Sequence, residues 1–351
     1  MQEVIKINEI EKRRYLLVKG PSFEFLPEEV RIVKEKVVAE FTGFQPNPVY
    51  ENIVNGIKVF NENCCDAIIA VGGGSAIDVA KCIKYASMAD YFGEIISPKE
   101  IPVIVVPTTA GTGSESTHFA VVYKNGIKQS ISEGKLLPNK IIFCNEVLKT
   151  LPLYQKKSTM LDALCHAMES YWSINSCEES RSYAFLSISI ILEHYCEYLS
   201  GEEKTFEKMF YASNLSGKAI NITTTTAGHA MSYKLASLKG ITHGHAVALV
   251  VEKLYPFMLE HIDKCESEAV KNNLLQLGNI ITPEQFSSII KEMNFRKVYA
   301  NDEDFEVLGN SVNIQRLKNN PIQFDLEEID DLYHQILRDE KNESGKTIKN
   351  N

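Results

Sequence analysis

The chain has 351 residues, too many for one compact core and about right for two domains. Hydrophobic residues make up 44% and charged residues 24%, which excludes a disordered or fibrous chain. A formal net charge of −9 argues against nucleic acid as a partner, because phosphate backbones are held by clustered lysine and arginine; a small anionic ligand needs only a few local donors.

No run reaches the roughly 18 apolar residues of a membrane span. Residues 1–14 alternate charged and apolar side chains and lack the apolar region of a signal peptide. The eight cysteines form no C-x-x-C pair and several sit inside apolar runs, so reduced thiols in a cytoplasmic protein are expected.

In chain order, Tyr15–Val18 is an apolar strand ending at Gly20–Pro21, and Glu28–Glu40 reads as a charged amphipathic helix. A helix follows over Glu51–Asn61. Ala67–Val71 is a fully apolar strand that runs into a glycine cluster and a helix over Ala76–Ser87. Ile101–Val106 is another apolar strand, closed by Pro107. Strand–helix alternation with continuously apolar strands implies a parallel sheet covered on both faces. Beyond Leu153, long helical periodicities dominate, over Thr159–Ile174, Glu179–Leu199, Glu203–Asn214, His245–Met258 and Pro283–Met293. The expected boundary lies at Leu151–Pro152, giving an α/β domain over 1–152 and a helical domain over 153–351 with a polar, frayed tail after Leu337.

In AIIAVGGGSAIDVAK (67–81), a buried strand feeds Gly72, Gly73, Gly74 and Ser75 straight into a helix. Glycines let backbone N–H groups approach an anion, and the helix N-terminus adds positive dipole. The spacing is neither G-x-G-x-x-G nor a P-loop, and a plain strand–helix turn would look the same. The next strand supplies a complement, PTTAGTGSE (107–115), with hydroxyls on Thr108, Thr109, Thr112 and Ser114. Both loops lie beyond the carboxyl ends of parallel strands, where ligands bind, and together they favour a phosphate-bearing ligand over a turn.

Asp162 and His166 stand four apart in MLDALCHAMESYW, one helical turn apart on one face. Such a pair is often only a surface hydrogen bond. Downstream, GHAMSY offers His229 and GITHGHA offers His243, with His245 read as a helix-start neighbour. One carboxylate with three imidazoles suits Fe(II), or alternatively Zn(II).

VGGGSAIDVAK, PTTAGTGSES, DALCHAMESYWS, GHAMSY and ITHGHAVAL, in this order across 15–254, resemble the iron-containing alcohol dehydrogenase family. The resemblance implies an α/β dinucleotide-binding domain with a parallel sheet, and an all-α metal-binding domain, the dehydroquinate-synthase-like architecture. It implies Asp162, His166, His229 and His243 as metal ligands, the cofactor diphosphate on Gly73, Gly74 and Ser75 beside Gly72 and Asp78, and Thr108, Thr109, Thr112 and Ser114 along the nicotinamide half. Lys128 fits a family lysine facing the cofactor. Many members carry a second histidine four residues after the third ligand, where this chain has Tyr233, a poorer acid near neutral pH. The implied chemistry is hydride transfer between a nicotinamide cofactor and a metal-polarised carbonyl, with water as the final proton source.

Members that prefer NAD carry an aspartate just after the first strand. The matching position here is Gly20, with Lys19 and Ser22 beside it to bind a 2′-phosphate, so NADPH is expected over NADH. The stretches ESYWSINSCEESRSYA and TTTTAGHAMSYKL look most like the subgroup that reduces phosphonoacetaldehyde to 2-hydroxyethylphosphonate, with His118, Lys234 and Lys239 as candidate anion contacts. The expected partners are a small aldehyde or alcohol and a second copy in a homodimer, with no nucleic acid and no membrane. Competing readings are a general short-chain alcohol dehydrogenase of the same family, a dehydroquinate-synthase-like lyase, a non-haem iron oxygenase and a nucleotide-binding protein without catalysis. The lyase lacks its cluster of basic residues, and the oxygenase has no use for the strand–glycine–helix site.

Overall fold

The structure, a computed structural model, describes residues 2–45, 48–88, 100–125, 127–312 and 317–339, without the side chains of 127, 128, 338 and 339. The described residues contain the strands β1 (Glu3–Val4), β2 (Tyr15–Lys19), β3 (Val37–Phe41), β4 (Ala67–Gly72), β5 (Val103–Pro107), β6 (Phe119–Lys124), β7 (Ile127–Ser132), β8 (Lys140–Ile141), β9 (Tyr299–Ala300) and β10 (Arg338–Asp339). Six of them form a parallel sheet in the order β1-β8-β5-β4-β2-β3. The helices of this half are α1 (Glu28–Arg31), α2 (Tyr50–Glu62), α3 (Gly74–Met88) and α4 (Val147–Thr150).

Alternation along the central strands sends their side chains to two cores. Leu16, Val18, Ile68, Ala70, Val103 and Val105 face one way and pack with Ile53 of α2 and with Ile77, Val79 and Ile83 of α3. Leu17, Ile69, Val71, Ile104 and Val106 face the other way and join a core that continues into the helical half. That half contains α5 (Leu153–Trp172), α6 (Glu178–Ser200), α7 (Phe206–Thr223), α8 (Ala227–Lys239), α9 (His243–Glu260), α10 (Glu268–Leu277), α11 (Pro283–Met293) and α12 (Asp302–Ser311), with a last helix over Leu326–Ile336. Helix α5 contributes Met160, Leu161, Leu164 and Met168 to the shared core, and it meets the loop after β5, where a Cβ on Gly111 would fall 2.5 Å from Thr159 Cβ.

Two expected elements change. The helix expected over Glu28–Glu40 divides into α1, a 3-10 turn over Ile32–Lys36 and β3. Val37 and Val38 are β-branched, and pairing of Tyr15 with Val37 and of Leu16 with Ala39 gives them a sheet edge that outweighs the helical periodicity. The helix expected to end at Asn214 runs on to Thr223 through Gly217. A Cβ on Gly217 would fall 2.5 Å from the carbonyl oxygen of Gly113, so this residue is set by contact with the second glycine-rich loop rather than by helix ending. The antiparallel hairpin β6–β7 and helix α8 carry little periodicity of their own and were not expected. All eight cysteines are free thiols. Among the described residues no helix is long and apolar enough to cross a membrane.

Candidate metal and nucleotide cleft

A cleft of about 840 Å³ runs between the sheet edge and the helical half. Its nucleotide end is built by the two loops that leave β4 and β5. Gly72 pairs with Pro107 in the sheet, so both loops start side by side. A Cβ on Gly73 would lie 3.4 Å from Thr109 Oγ1, and one on Gly74 would lie 3.1 Å from Thr112 Cγ2, which shows how closely the loops face each other. Gly74, Ser75, Asp78, Thr112 and Ser114 line the cleft, with Phe119, Val121, Tyr123, Ser130 and Ser132 of the hairpin also on its wall. Gly72, Gly73, Thr108 and Thr109 stand behind that surface; the Thr108 N–H donates to the Gly72 carbonyl at 3.1 Å. Lys128 pairs with Tyr123 in the hairpin, and its side chain lies outside the described residues.

Asp78 does more than sit near a phosphate. Its Oδ1 accepts from the Ser114 hydroxyl at 2.6 Å and its Oδ2 from the Val121 N–H at 3.0 Å, which ties α3 to both walls of the cleft. Lys81, one turn further along α3, is fully buried and donates to Ser114 Oγ, Thr117 Oγ1 and the Phe119 carbonyl at 3.1, 3.0 and 2.9 Å. Burial pushes its ammonium down to about 8, against the attraction of Asp78 and Glu115. The sequence reading missed Lys81. Its signal was a lysine one turn beyond Asp78 on a helix with no charged face to place it on.

The residues after β2 are arranged differently from expectation. Lys19 is buried and forms ion pairs with Glu24 at 2.7 Å and Glu40 at 2.9 Å. Burial alone would lower its pKa, but the two carboxylates raise it overall. Its charge is therefore balanced within the protein and is not a spare grip for a 2′-phosphate. Ser22 is exposed. Gly20 has an ordinary extended backbone, with φ −81°, and a Cβ there would meet nothing within 4 Å. Neither strain nor crowding requires glycine at this position.

At the other end, α5, α8 and α9 converge. Asp162, His166 and His229 are buried and each offers a ligand atom within 4.8 Å of the others. His229 Nε2 lies 3.5 Å, and His243 Nε2 3.8 Å, from Asp162 Oδ1. The rings of His166 and His229 stack at 4.3 Å, and Tyr233 lies flat against His243 at 5.3 Å. Asp162 Oδ1, His166 Nδ1 and His229 Nε2 are buried and make no hydrogen bond within the protein. Three buried polar atoms without hydrogen bonds, linked only by the 3.5 Å Asp162–His229 ion pair, are costly unless a cation satisfies them, so these residues fit a divalent metal. Burial would raise the Asp162 carboxyl, but the imidazoles of His166, His243 and His229 hold it well below the usual range. Burial beside His229 pushes His166 down to about 4. His229 is pushed up to about 9, because Glu169 and Asp162 outweigh its burial.

Glu169 is the second residue that sequence reading missed. Its Oε1 lies 2.8 Å from His229 Nδ1, and its Oε2 accepts from the Thr226 hydroxyl at 2.7 Å, which in turn accepts from Trp172 Nε1 at 2.9 Å. A Cβ on Gly228 would lie 2.2 Å from that Oε1, so α8 approaches the carboxylate as closely as backbone allows. This arrangement makes His229 a donor to Glu169 through Nδ1 and turns Nε2 toward Asp162. The signal was spacing: Asp162, His166 and Glu169 stand at i, i+4 and i+7, one face of one helix.

Of the three candidate anion contacts, none lines the cleft. His118 is turned onto Asn221, whose Oδ1 meets both its backbone N–H at 2.7 Å and its ring Nδ1 at 2.6 Å. Lys234 is exposed on α8, and Lys239 pairs with Asp304 at 2.6 Å. Thr224, Thr225 and Asn319 do line the cleft, together with Ile220, Ala236 and Ser237. Thr224 has φ 58° and ψ 178°, a conformation that costs a β-branched residue about 1–3 kcal/mol. Asn319 holds it there by donating to the Thr224 hydroxyl, while accepting from Asn175 at 3.0 Å.

Residues 3–144 match the iron-containing alcohol dehydrogenase family and residues 156–337 match the C-terminal domain of the Fe-containing alcohol dehydrogenase family. The chain is similar to alcohol dehydrogenase 4 of Schizosaccharomyces pombe, 32% identical over 68% of this chain and 57% of that enzyme. It is also similar to the NADPH-dependent butanol dehydrogenase of Clostridium saccharobutylicum, 28% identical over 81% of this chain and 77% of that one. Among solved structures, an iron-containing alcohol dehydrogenase from Thermotoga maritima superimposes with a TM-score of 0.83 at 25% identity, covering 96% of this chain and 98% of the other.

Proposed function

The chain belongs to the iron-containing alcohol dehydrogenase family, oxidoreductases acting on CH–OH groups, and from that premise we propose that it is a metal-dependent, NAD(P)H-linked reductase of small aldehydes. In this reading 1–152 holds the nucleotide and 153–351 holds the metal. The observation that carries it is the trio of buried, unpartnered donor atoms on Asp162, His166 and His229, at one end of a cleft whose other end is a glycine-rich strand–helix loop.

Asp162, His166, His229 and His243 would hold the cation, Fe(II) or alternatively Zn(II). When bound, the metal supplies Lewis acidity toward an aldehyde oxygen and the nicotinamide supplies the hydride. The chain's own part is positional. Gly74, Ser75 and Thr112 present backbone and hydroxyls to the cofactor, while Asp78 and Lys81, both bonded to the Ser114 hydroxyl, keep the hairpin wall in register. Tyr233 lies flat against His243 on the wall of the cleft, where its phenol would offer a hydrogen bond rather than an acid to a substrate oxygen. Water supplies the final proton.

The absence of a carboxylate at Gly20 supports NADPH over NADH, the open space around that residue showing that an aspartate would fit. For the substrate, the hydroxyl and amide wall of Thr224, Thr225 and Asn319 supports a short aldehyde with a polar tail. Phosphonoacetaldehyde, reduced to 2-hydroxyethylphosphonate, meets that description. The experiment is a comparison of kcat/KM with NADPH after anaerobic loading with ferrous iron. A large advantage of phosphonoacetaldehyde over propanal and butanal supports the phosphonate reading. Equal or better turnover of the uncharged aldehydes makes the protein a general short-chain alcohol dehydrogenase, and no turnover of any aldehyde refutes the reductase reading.

A further inference from the structure

We propose that Tyr154 is a positioning residue for His243: its hydroxyl moors the first turn of α9 to the first turn of α5 and so sets the least buried of the four donors. The inference rests on the metal-binding reading above.

The four donors are not equally constrained. The side chains of Asp162 and His229 are 3% and 1% exposed, whereas that of His243 is 38% exposed. Asp162 and His166 belong to the middle of a 20-residue helix, while His243 is the first residue of its helix. First turns lack half of their helical hydrogen bonds and are the first to open, so a ligand placed there needs another restraint.

That restraint is visible in how the cap is made. A threonine before a helix ordinarily accepts from a backbone N–H two or three residues on. Thr242 makes no such bond. Its N–H and its hydroxyl both donate to the Tyr154 hydroxyl oxygen, at 3.3 and 3.1 Å. His245 Nδ1 stands 3.1 Å from the same oxygen. One phenolic oxygen therefore holds the residue before His243 and the residue two after it. The phenol is braced in turn by Phe295, which lies edge-on to Tyr154 at 5.5 Å and stacks with His245 at 4.0 Å.

Packing fixes the remaining direction. A Cβ on Gly244 would lie 2.0 Å from the Ser158 carbonyl oxygen and 2.9 Å from Asp162 Cβ, so α9 rests directly on the turn of α5 that carries Asp162. Contact at Gly244 sets how near the helices come. The hydrogen bonds at Tyr154 set how the first turn of α9 is rotated, and hence where the His243 ring points.

The test uses the full chain stripped of metal, with Zn(II) titrated against a chromogenic chelator and Co(II) as a spectroscopic probe. Tyr154→Phe keeps the ring and removes the hydrogen bonds. It should weaken Zn(II) binding by roughly 10–100-fold, the usual effect of removing a group that orients a ligand. The visible Co(II) bands should change shape, while NADPH affinity and the melting temperature of the metal-free protein stay near wild type. Thr242→Val should act in the same direction, and the double variant should be no worse than the single ones, because both remove one linkage. Wild-type Zn(II) affinity and Co(II) bands in both variants would overturn the proposal and leave the metal reading standing. A fall in metal-free melting temperature with unchanged Zn(II) affinity would overturn it too, by reducing Tyr154 to a packing residue. If the wild-type chain bound neither metal, the metal reading itself would fall and the proposal with it.

Discussion

The two ends of the cleft are made from opposite materials. At the metal end, function lies in side-chain atoms: Asp162, His166 and His229 are buried, and Glu169 is locked behind them by Thr226 and Trp172. At the nucleotide end it lies in backbone and in missing side chains, with Gly73 and Gly74 set against Thr109 and Thr112. The difference teaches where each end is vulnerable. Losing one donor atom at the metal end leaves other buried polar atoms unsatisfied, which is costly. At the nucleotide end, adding atoms is what does harm, because the loops already stand at contact distance.

The largest effect should come from the buried donors. His229→Ala should remove nearly all bound metal and activity, and Asp162→Asn should follow closely, since the loss of charge weakens a dication site even where shape survives. His243→Ala should abolish turnover but keep more metal than His229→Ala, because its ring is the exposed one. Elemental analysis and kcat measure both, and equal metal retention in the two histidine variants would break the contrast between tight and loose donors. Next comes Glu169→Gln, which keeps shape but removes the charge facing His229 Nδ1. Metal affinity should fall by about 10–100-fold, read by chelator competition.

A smaller change is expected from Gly20→Asp after β2, outside the two crowded loops. The added carboxylate enters open space, so the melting temperature should hold while kcat/KM shifts from NADPH toward NADH by like-charge repulsion of the 2′-phosphate. An unchanged cofactor ratio would remove Gly20 from the site. The smallest effect concerns Lys81, whose ammonium burial pushes from its ordinary 10.5 down to about 8. Below pH 8, folded and unfolded chains both hold this proton. Between 8 and 10.5 the unfolded chain holds it and the folded chain has released it, so this residue makes stability rise with pH across that window and contributes no slope below 8. Lys84, also pushed down to about 8 by burial, adds the same sign. Lys81→Met should therefore flatten part of that slope in chemical denaturation curves measured from pH 7 to 11, and an unaltered slope would show that Lys81 titrates normally.

What could be read from the chain alone was whatever depends on neighbours in sequence. The strand–glycine–helix loop, the hydroxyl-rich loop after β5, and Asp162 with His166 one helical turn apart are local patterns. Each appears in the structure where its periodicity placed it. Glu169 belonged to the same local pattern and could have been found by extending the helical face one more turn. The placing of His229 and His243 beside that pair came from motif order within the family, because nothing in their local sequence points them at α5.

The fates of the charged side chains were not legible. Lys19 and Lys239 looked like free cations near a phosphate and a phosphonate, yet Glu24, Glu40 and Asp304 neutralise them. Asp78 looked like a phosphate neighbour and also pins the hairpin. The sequence by itself determined the layered α/β half, the helical half and the chemistry of the donors, because hydrophobic periodicity and spacing along a helix are properties of short stretches. Only the tertiary structure decided which charges remain available, which hydroxyl meets Thr242 before α9, and how His243 stands to Asp162. Those outcomes depend on which distant groups meet inside a low-dielectric interior, where an ion pair or an unmet hydrogen bond outweighs any local preference.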